Sequence, residues 1–136
     1  MRLLSGDFLN VTTTQDRALT TTPTQRVTQV LLNPYGDKTV KNYLNPAAFA
    51  VPDLGTFAHS GANGIQGPRQ WQFDTALSRT FQIREGQNVE FRWEAFNVLN
   101  GFRMMDPIVN FNSGNFGQVT SAYDPRIMQF GLKYVF

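Results

Sequence analysis

The stretch QWQFDTALSRTFQI, residues 70–83, alternates large apolar and polar residues almost without fault. Trp71, Phe73, Leu77, Phe81 and Ile83 fall on one side, interrupted by Thr75 and Arg79. Gln70, Gln72, Asp74, Ser78, Thr80 and Gln82 fall on the other, with Ala76 small among them. A period of two belongs to an extended strand, because successive side chains there point to opposite faces; a helix repeats near 3.6. REGQ then supplies a turn, with Gly86 as its flexible position. NVEFRWEAFNVLN resumes the alternation, with Val89, Phe91, Trp93 and Ala95 opposed to Glu90, Arg92 and Glu94. The phase slips at Phe96, which predicts a bulge or a strand end there. Residues 70–98 are therefore expected to form one long antiparallel hairpin. RIMQFGLKYVF repeats the pattern, with Met128, Phe130, Leu132, Tyr134 and Phe136 at every second position. It is expected to be a terminal strand over 126–136.

The rest is rich in turn formers. Residues 13–69 carry Thr, Asn, Pro and Gly in LNPYGDK, YLNPAAFAVPDLG and HSGANGIQGPR, and read as one long loop. Residues 99–125 read as a second, and residues 1–12 as a possible first strand. Long and tight connections thus alternate. Strands longer than the usual five or six residues, one apolar and one polar face, and loops long at one end only make the pattern of a membrane β-barrel wall. The expected fold class is all-β, an antiparallel long-stranded meander forming one segment of an outer-membrane-type barrel over 1–136. The same alternation also suits a soluble antiparallel β-sheet module, open to oligomerisation, with one face on a core.

Composition removes several function classes. A chain of 136 residues suffices for one ordinary domain. Its formal net charge of +2 comes from scattered Arg and Lys without a run, so no nucleic-acid partner is expected. Without cysteine, disulfides, thiol catalysis and thiolate metal sites are excluded. MRLLSGDFLN lacks the apolar run of a signal peptide, so the isolated chain is expected to carry no export signal.

Catalytic chemistry is not expected. His59 is the only histidine, and FAHSGANG lacks a nucleophile-elbow pattern beside it. Glu90 and Glu94 share a strand face, but residues four apart on a strand lie about 13 Å apart, too far for paired-carboxylate work. With Arg92 between them they read as a charge-paired polar wall. GANGIQGP lacks the Lys-Ser/Thr of a phosphate loop. No cofactor or metal set is expected. Asn10 begins the sequon NVT, a pattern too short to mean much. Trp71 and Trp93 could stack on sugars, but near strand ends they read first as an interfacial girdle.

Two resemblances follow. QFGLKYVF resembles the assembly signal of bacterial outer-membrane barrels, carried by Gln129, Gly131, Tyr134 and Phe136. The likeness implies that a barrel-assembly machinery reads this strand. YLNPAAFAVPDLGTF, GANGIQGPRQWQFDTALSRTFQI, VEFRWEAFNVLNGF and FGQVTSAYDPRIMQFGLKYVF, in that order, resemble the C-terminal part of Oar-like TonB-dependent receptors. FRWEAFNVLN is the most specific piece, and SGDFLNVTTTQD also fits. Such receptors are many times longer, with a signal peptide, a plug and an energy-coupling box. The resemblance implies barrel wall, external loops and a closing strand in the outer membrane of a bacterium. Ligand would meet loop residues such as Tyr35, Tyr43, Phe57, Arg103 and Tyr123. Two other readings stay open: a soluble self-associating β-sheet binding module, and an enzyme with an unrecognised site. Expressed alone, the chain is expected to self-associate through its apolar face.

Overall fold

The computed structural model describes residues 1–136. The chain is all-β and antiparallel, with no α-helix. In chain order the strands are β1 (Arg2–Leu4), β2 (Phe8–Leu9), β3 (Thr12–Thr13), β4 (Gln25–Arg26), β5 (Thr28–Gln29), β6 (Phe49–Ala50), β7 (Ile65–Gln66), β8 (Gln70–Gln72), β9 (Thr75–Arg84), β10 (Gln87–Phe96) and β11 (Ile127–Val135). One turn of 3₁₀ helix, Pro46–Ala48, precedes β6; Asn45 caps it by accepting from the Ala47 N–H at 3.0 Å.

The chain divides into two compact units. The first comprises Met1–Leu4, Gln70–Arg103 and Tyr123–Phe136. Its main feature is a three-stranded sheet in the order β11-β10-β9, so β9 and β11 are its edges. These strands have 10, 10 and 9 residues, the length of a transmembrane β-strand. Register assigns the faces, because directly paired residues share one. One face carries the rows Leu77–Trp93–Phe130, Arg79–Phe91–Leu132 and Phe81–Val89–Tyr134. The other carries Ala76–Glu94–Gln129, Ser78–Arg92–Gly131 and Thr80–Glu90–Lys133. The apolar face has no cover: Phe130 is 70% and Leu132 76% exposed.

The turn lies within REGQ as expected, at Glu85–Gly86, with Gly86 at φ +80, and the register shifts beside it between Gln87 and Asn88. Phe96 stays in register with Ile127 and is the last residue of β10, so the phase slip there marks the strand end. One detail differs from the sequence expectation: the hairpin expected over 70–98 is shorter. β8 pairs with β1 instead of β10, because the chain is tied sideways at Phe73 and Asp74. Phe73 O accepts from the Val98 N–H at 2.9 Å, and the Asp74 carboxylate accepts from the Asn97 N–H at 2.9 Å.

The second unit comprises Ser5–Arg69 and Met104–Ala122. Residues 1–12 do not form a single strand; β1 belongs to the first unit, β2 and the start of β3 to this one. The 13–69 segment is irregular but packed. Two-residue pairings β2-β7, β3-β4 and β5-β6 hold it, around a core of Val11, Val27, Tyr43, Leu44, Ala48, Phe49, Ile65, Phe116 and Val119. Phe116 meets Phe49 and Phe111 edge-on, at ring separations of 5.6 and 5.1 Å.

Candidate functional site: a cavity where the long connection leaves the sheet

Within the first unit, a cavity of about 400 Å³ lies beside the end of the sheet opposite the Glu85–Gly86 turn. Its walls include Arg2, Trp71, Asn97, Arg103, Tyr123 and Asp124. Phe96 and Ile127 also line it, a cross-strand pair in phase with Glu94 and Gln129, so it borders the polar face.

Asn97 organises this end. It is buried and stands at φ +51, a left-handed conformation that Asn tolerates better than most residues. Its Oδ1 accepts from the Gly101 N–H at 3.0 Å; its Nδ2 donates to Gly101 O at 3.1 Å and Asp124 O at 3.4 Å. Asn100 Oδ1 accepts from the Arg126 N–H at 3.0 Å. The two ends of the 99–125 connection are thus clasped at its base. The Asn97 N–H, and then the Gln72 amide, hold the Asp74 carboxyl below its ordinary range. Gly101 is required for another reason: a Cβ there would lie 2.6 Å from the Trp71 ring.

Arg103 is fixed by three contacts. It donates to Gln72 Oε1 and to Asp124 O, and its guanidinium lies 5.2 Å from the Tyr123 ring centre. Its Nε–H is buried without a partner. The structure thus joins Arg103 and Tyr123, two of the residues named from the sequence. Trp71, read there as a girdle residue beside the apolar rows, belongs to the β1-β8 sheet and lines the cavity. The clasp residues Asn97, Asn100 and Gly101 were not singled out; the signal was the N-V-L-N-G spacing after a strand.

Tyr35, Tyr43 and Phe57 lie in the second unit. Tyr35 and Tyr43 meet edge-on at 6.0 Å. Both hydroxyls hold Gln66: the Tyr35 hydroxyl accepts from the Gln66 N–H at 2.8 Å, and Tyr43 donates to Gln66 O at 3.1 Å. Tyr43 is buried in the core, which removes it from the reach of a ligand. Phe57 is open to solvent at 72% exposure.

Gln129, Gly131 and Tyr134 stand on β11 opposite Glu94, Arg92 and Val89. A Cβ at Gly131 would meet only Arg92, its Cβ at 3.8 Å and its carbonyl oxygen at 4.0 Å, both ordinary contacts. Phe136 is 92% exposed; its ring centre lies 6.0 Å from that of Tyr134. On the polar face Arg92 bridges Glu90 at 3.3 Å and Glu94 at 4.0 Å. His59 is exposed, and Ser60 Oγ donates to Val27 O, not to the imidazole.

The family model described as "Outer membrane beta barrel domain" matches residues 1–129. The chain belongs to this outer-membrane β-barrel family. No curated protein and no solved structure matches it. Family membership gives the uncovered apolar rows their solvent: in an outer-membrane barrel the outward face meets lipid and the polar face lines the interior. Arg79 is the exception on the lipid side. Its guanidinium bends to 5.2 Å from the Phe81 ring centre, towards the turn end, as a long cationic side chain does to reach the interface.

Proposed function

We infer that this outer-membrane barrel chain is the C-terminal part of an Oar-like TonB-dependent receptor. It supplies barrel wall, external loops and the closing strand, and performs no catalysis of its own. One observation carries the closing-strand reading: β11 is a sheet edge whose amphipathic strand matches the assembly-signal pattern at Gln129, Gly131, Tyr134 and Phe136. An unpaired edge must be closed for a sheet to survive in lipid, because hydrocarbon offers no substitute hydrogen bonds. Gly131 meets no steric demand within the chain and Phe136 packs little, so recognition by an assembly machinery explains them better than packing does. Strands β9 and β11 would pair with the other strands of the parent. Removed from that parent, the chain self-associates, because its apolar rows and free edges have no other cover in water.

The test is deletion of Phe136 in the full-length parent, followed by membrane fractionation. The expected result is a marked fall in heat-resistant, outer-membrane-inserted protein. Normal insertion, together with a large stability loss in the short chain, would reject this reading and favour a soluble module whose last strand docks on a core.

A further inference from the structure

We propose that the cavity between Trp71 and Tyr123 binds a short neutral oligosaccharide. The inference rests on the receptor reading only for the side from which ligand arrives, since the cavity lies at the end of the sheet where the long connection leaves. The chemistry of the wall carries the rest. The Arg2 guanidinium and the Asp124 carboxylate both line the cavity, and neither side chain forms an ion pair or a hydrogen bond. The third charged group of the wall, Arg103, is engaged by Gln72, the Asp124 carbonyl and the Tyr123 ring; of the two left to a ligand, Arg2 would attract a lone anion that Asp124 repels, and a lone cation would meet the reverse. A sugar hydroxyl satisfies both groups, because it accepts from a guanidinium and donates to a carboxylate through the same oxygen. The apolar side of the cavity suits the other half of a sugar ring. Trp71 and Tyr123 offer ring surfaces, 39% and 42% exposed, on which the C–H face of a pyranose can lie. Both rings are held before any ligand arrives. Trp71 rests against Gly101, where only glycine fits, and Tyr123 is backed by the anchored Arg103. Such preorganisation lowers the ordering cost of binding. The volume, about 400 Å³, lies at the small end of ligand pockets and limits the occupant to a short chain.

Trp71 is also the reporter. The chain has two tryptophans, and Trp93→Phe in the wall leaves Trp71 as the only indole. The full chain, refolded in a zwitterionic detergent because a maltoside headgroup is itself a sugar, is titrated with maltotriose, N,N′-diacetylchitobiose and raffinose. Inorganic phosphate and trialanine serve as contrasting probes. The expected result is a saturable change in Trp71 emission with at least one of the three sugars, at a Kd of about 1 mM or tighter. Neither phosphate nor trialanine should saturate. Arg2→Ala and Asp124→Asn should each weaken sugar binding by roughly tenfold or more. Asp124→Asn keeps the shape and leaves the backbone carbonyl that Asn97 and Arg103 use, so it separates binding from folding. No saturation by any of the three sugars, in protein whose β-sheet circular dichroism is intact, overturns the proposal. Saturation by phosphate or trialanine instead also overturns it, and so does unchanged sugar affinity in Arg2→Ala and Asp124→Asn. Failure here with normal Phe136-dependent insertion sinks only the ligand assignment, whereas loss of that dependence sinks the receptor reading.

Discussion

The three-stranded sheet β9-β10-β11 and the loop-built unit of Ser5–Arg69 with Met104–Ala122 solve burial in opposite ways. The sheet has long regular strands, yet its apolar rows, Leu77, Phe130 and Leu132 among them, stay exposed. The loop unit has two-residue strands, yet it buries Val27, Leu44, Ala48 and Ile65 almost completely. Regular secondary structure and a core are therefore separable. A strand needs only its hydrogen-bonded neighbours, whereas a core needs apolar groups converging from several directions. The sheet lacks that convergence because its apolar face is made for a solvent of hydrocarbon.

Truncation sharpens this contrast most. Leu44→Ala in the loop unit removes a side chain that is 1% exposed, and should cost about 2 to 5 kcal/mol. Leu132→Ala on the sheet should cost far less in detergent-free solution and reduce self-association there. Chemical denaturation read by near-ultraviolet circular dichroism, with light scattering on the same samples, compares the two. Equal costs would mean that Leu132 faces a core after all.

Charge reverses the ranking. In lipid vesicles Leu132→Arg should cost roughly 2 to 4 kcal/mol, because an arginine at mid-wall loses its water. Leu32→Arg, at a fully exposed loop position, should stay within about 0.5 kcal/mol. Urea titration of vesicle-refolded protein measures both. An equal response at the two sites would remove the distinction between wall and loop.

Asn97→Ala should cost about 2 to 3 kcal/mol, because it strands the Gly101 and Asp124 backbone groups and forces alanine into a left-handed conformation. Asn97→Gly keeps the conformation and loses only the hydrogen bonds, so the difference between the two variants isolates the strain.

The smallest effect is electrostatic. Asp74 lies outside the wall strands and its carboxyl is depressed, so its contribution is fully present above the ordinary value of 3.8 and is lost as pH falls through the lower folded value. Acidification below 3.8 should therefore loosen the Asn97 clasp and shift Trp71 emission. Asp74→Asn should abolish that pH dependence. In the loop unit Asp106 has the opposite sign. Burial, and then Asp7, raise its carboxyl, so its unfavourable contribution grows as pH rises through 3.8. A clasp that tightens on acidification would contradict the assignment.

The sheet was legible in the sequence because alternation is a local property, and FQIREGQNVEF states both strands and their turn within a few residues. Its end was less legible. Alternation runs almost without fault from Gln70 to Ile83, but the capture of the Asn97 N–H by Asp74 cuts β8 away and turns Trp71 into a cavity wall. That hydrogen bond spans 23 residues and leaves no periodic trace. The loop unit was opaque for the same reason. Its core joins Val11, Leu44 and Phe116, far apart in a stretch without period. Tyr43 was named as a ligand residue for being an aromatic in a loop, but it is a core residue.

Site-directed labelling tests the membrane-wall assignment most directly, and the absence of native cysteine makes it clean. Single cysteines at Met128, Gln129, Phe130, Gly131, Leu132 and Lys133 would each carry an environment-sensitive fluorophore in vesicle-refolded protein. Quenchers on the lipid chains and in the aqueous phase would then compete for each label. The account predicts strict alternation, with 128, 130 and 132 quenched from the lipid and 129, 131 and 133 from water. Uniform aqueous quenching along the strand would contradict it.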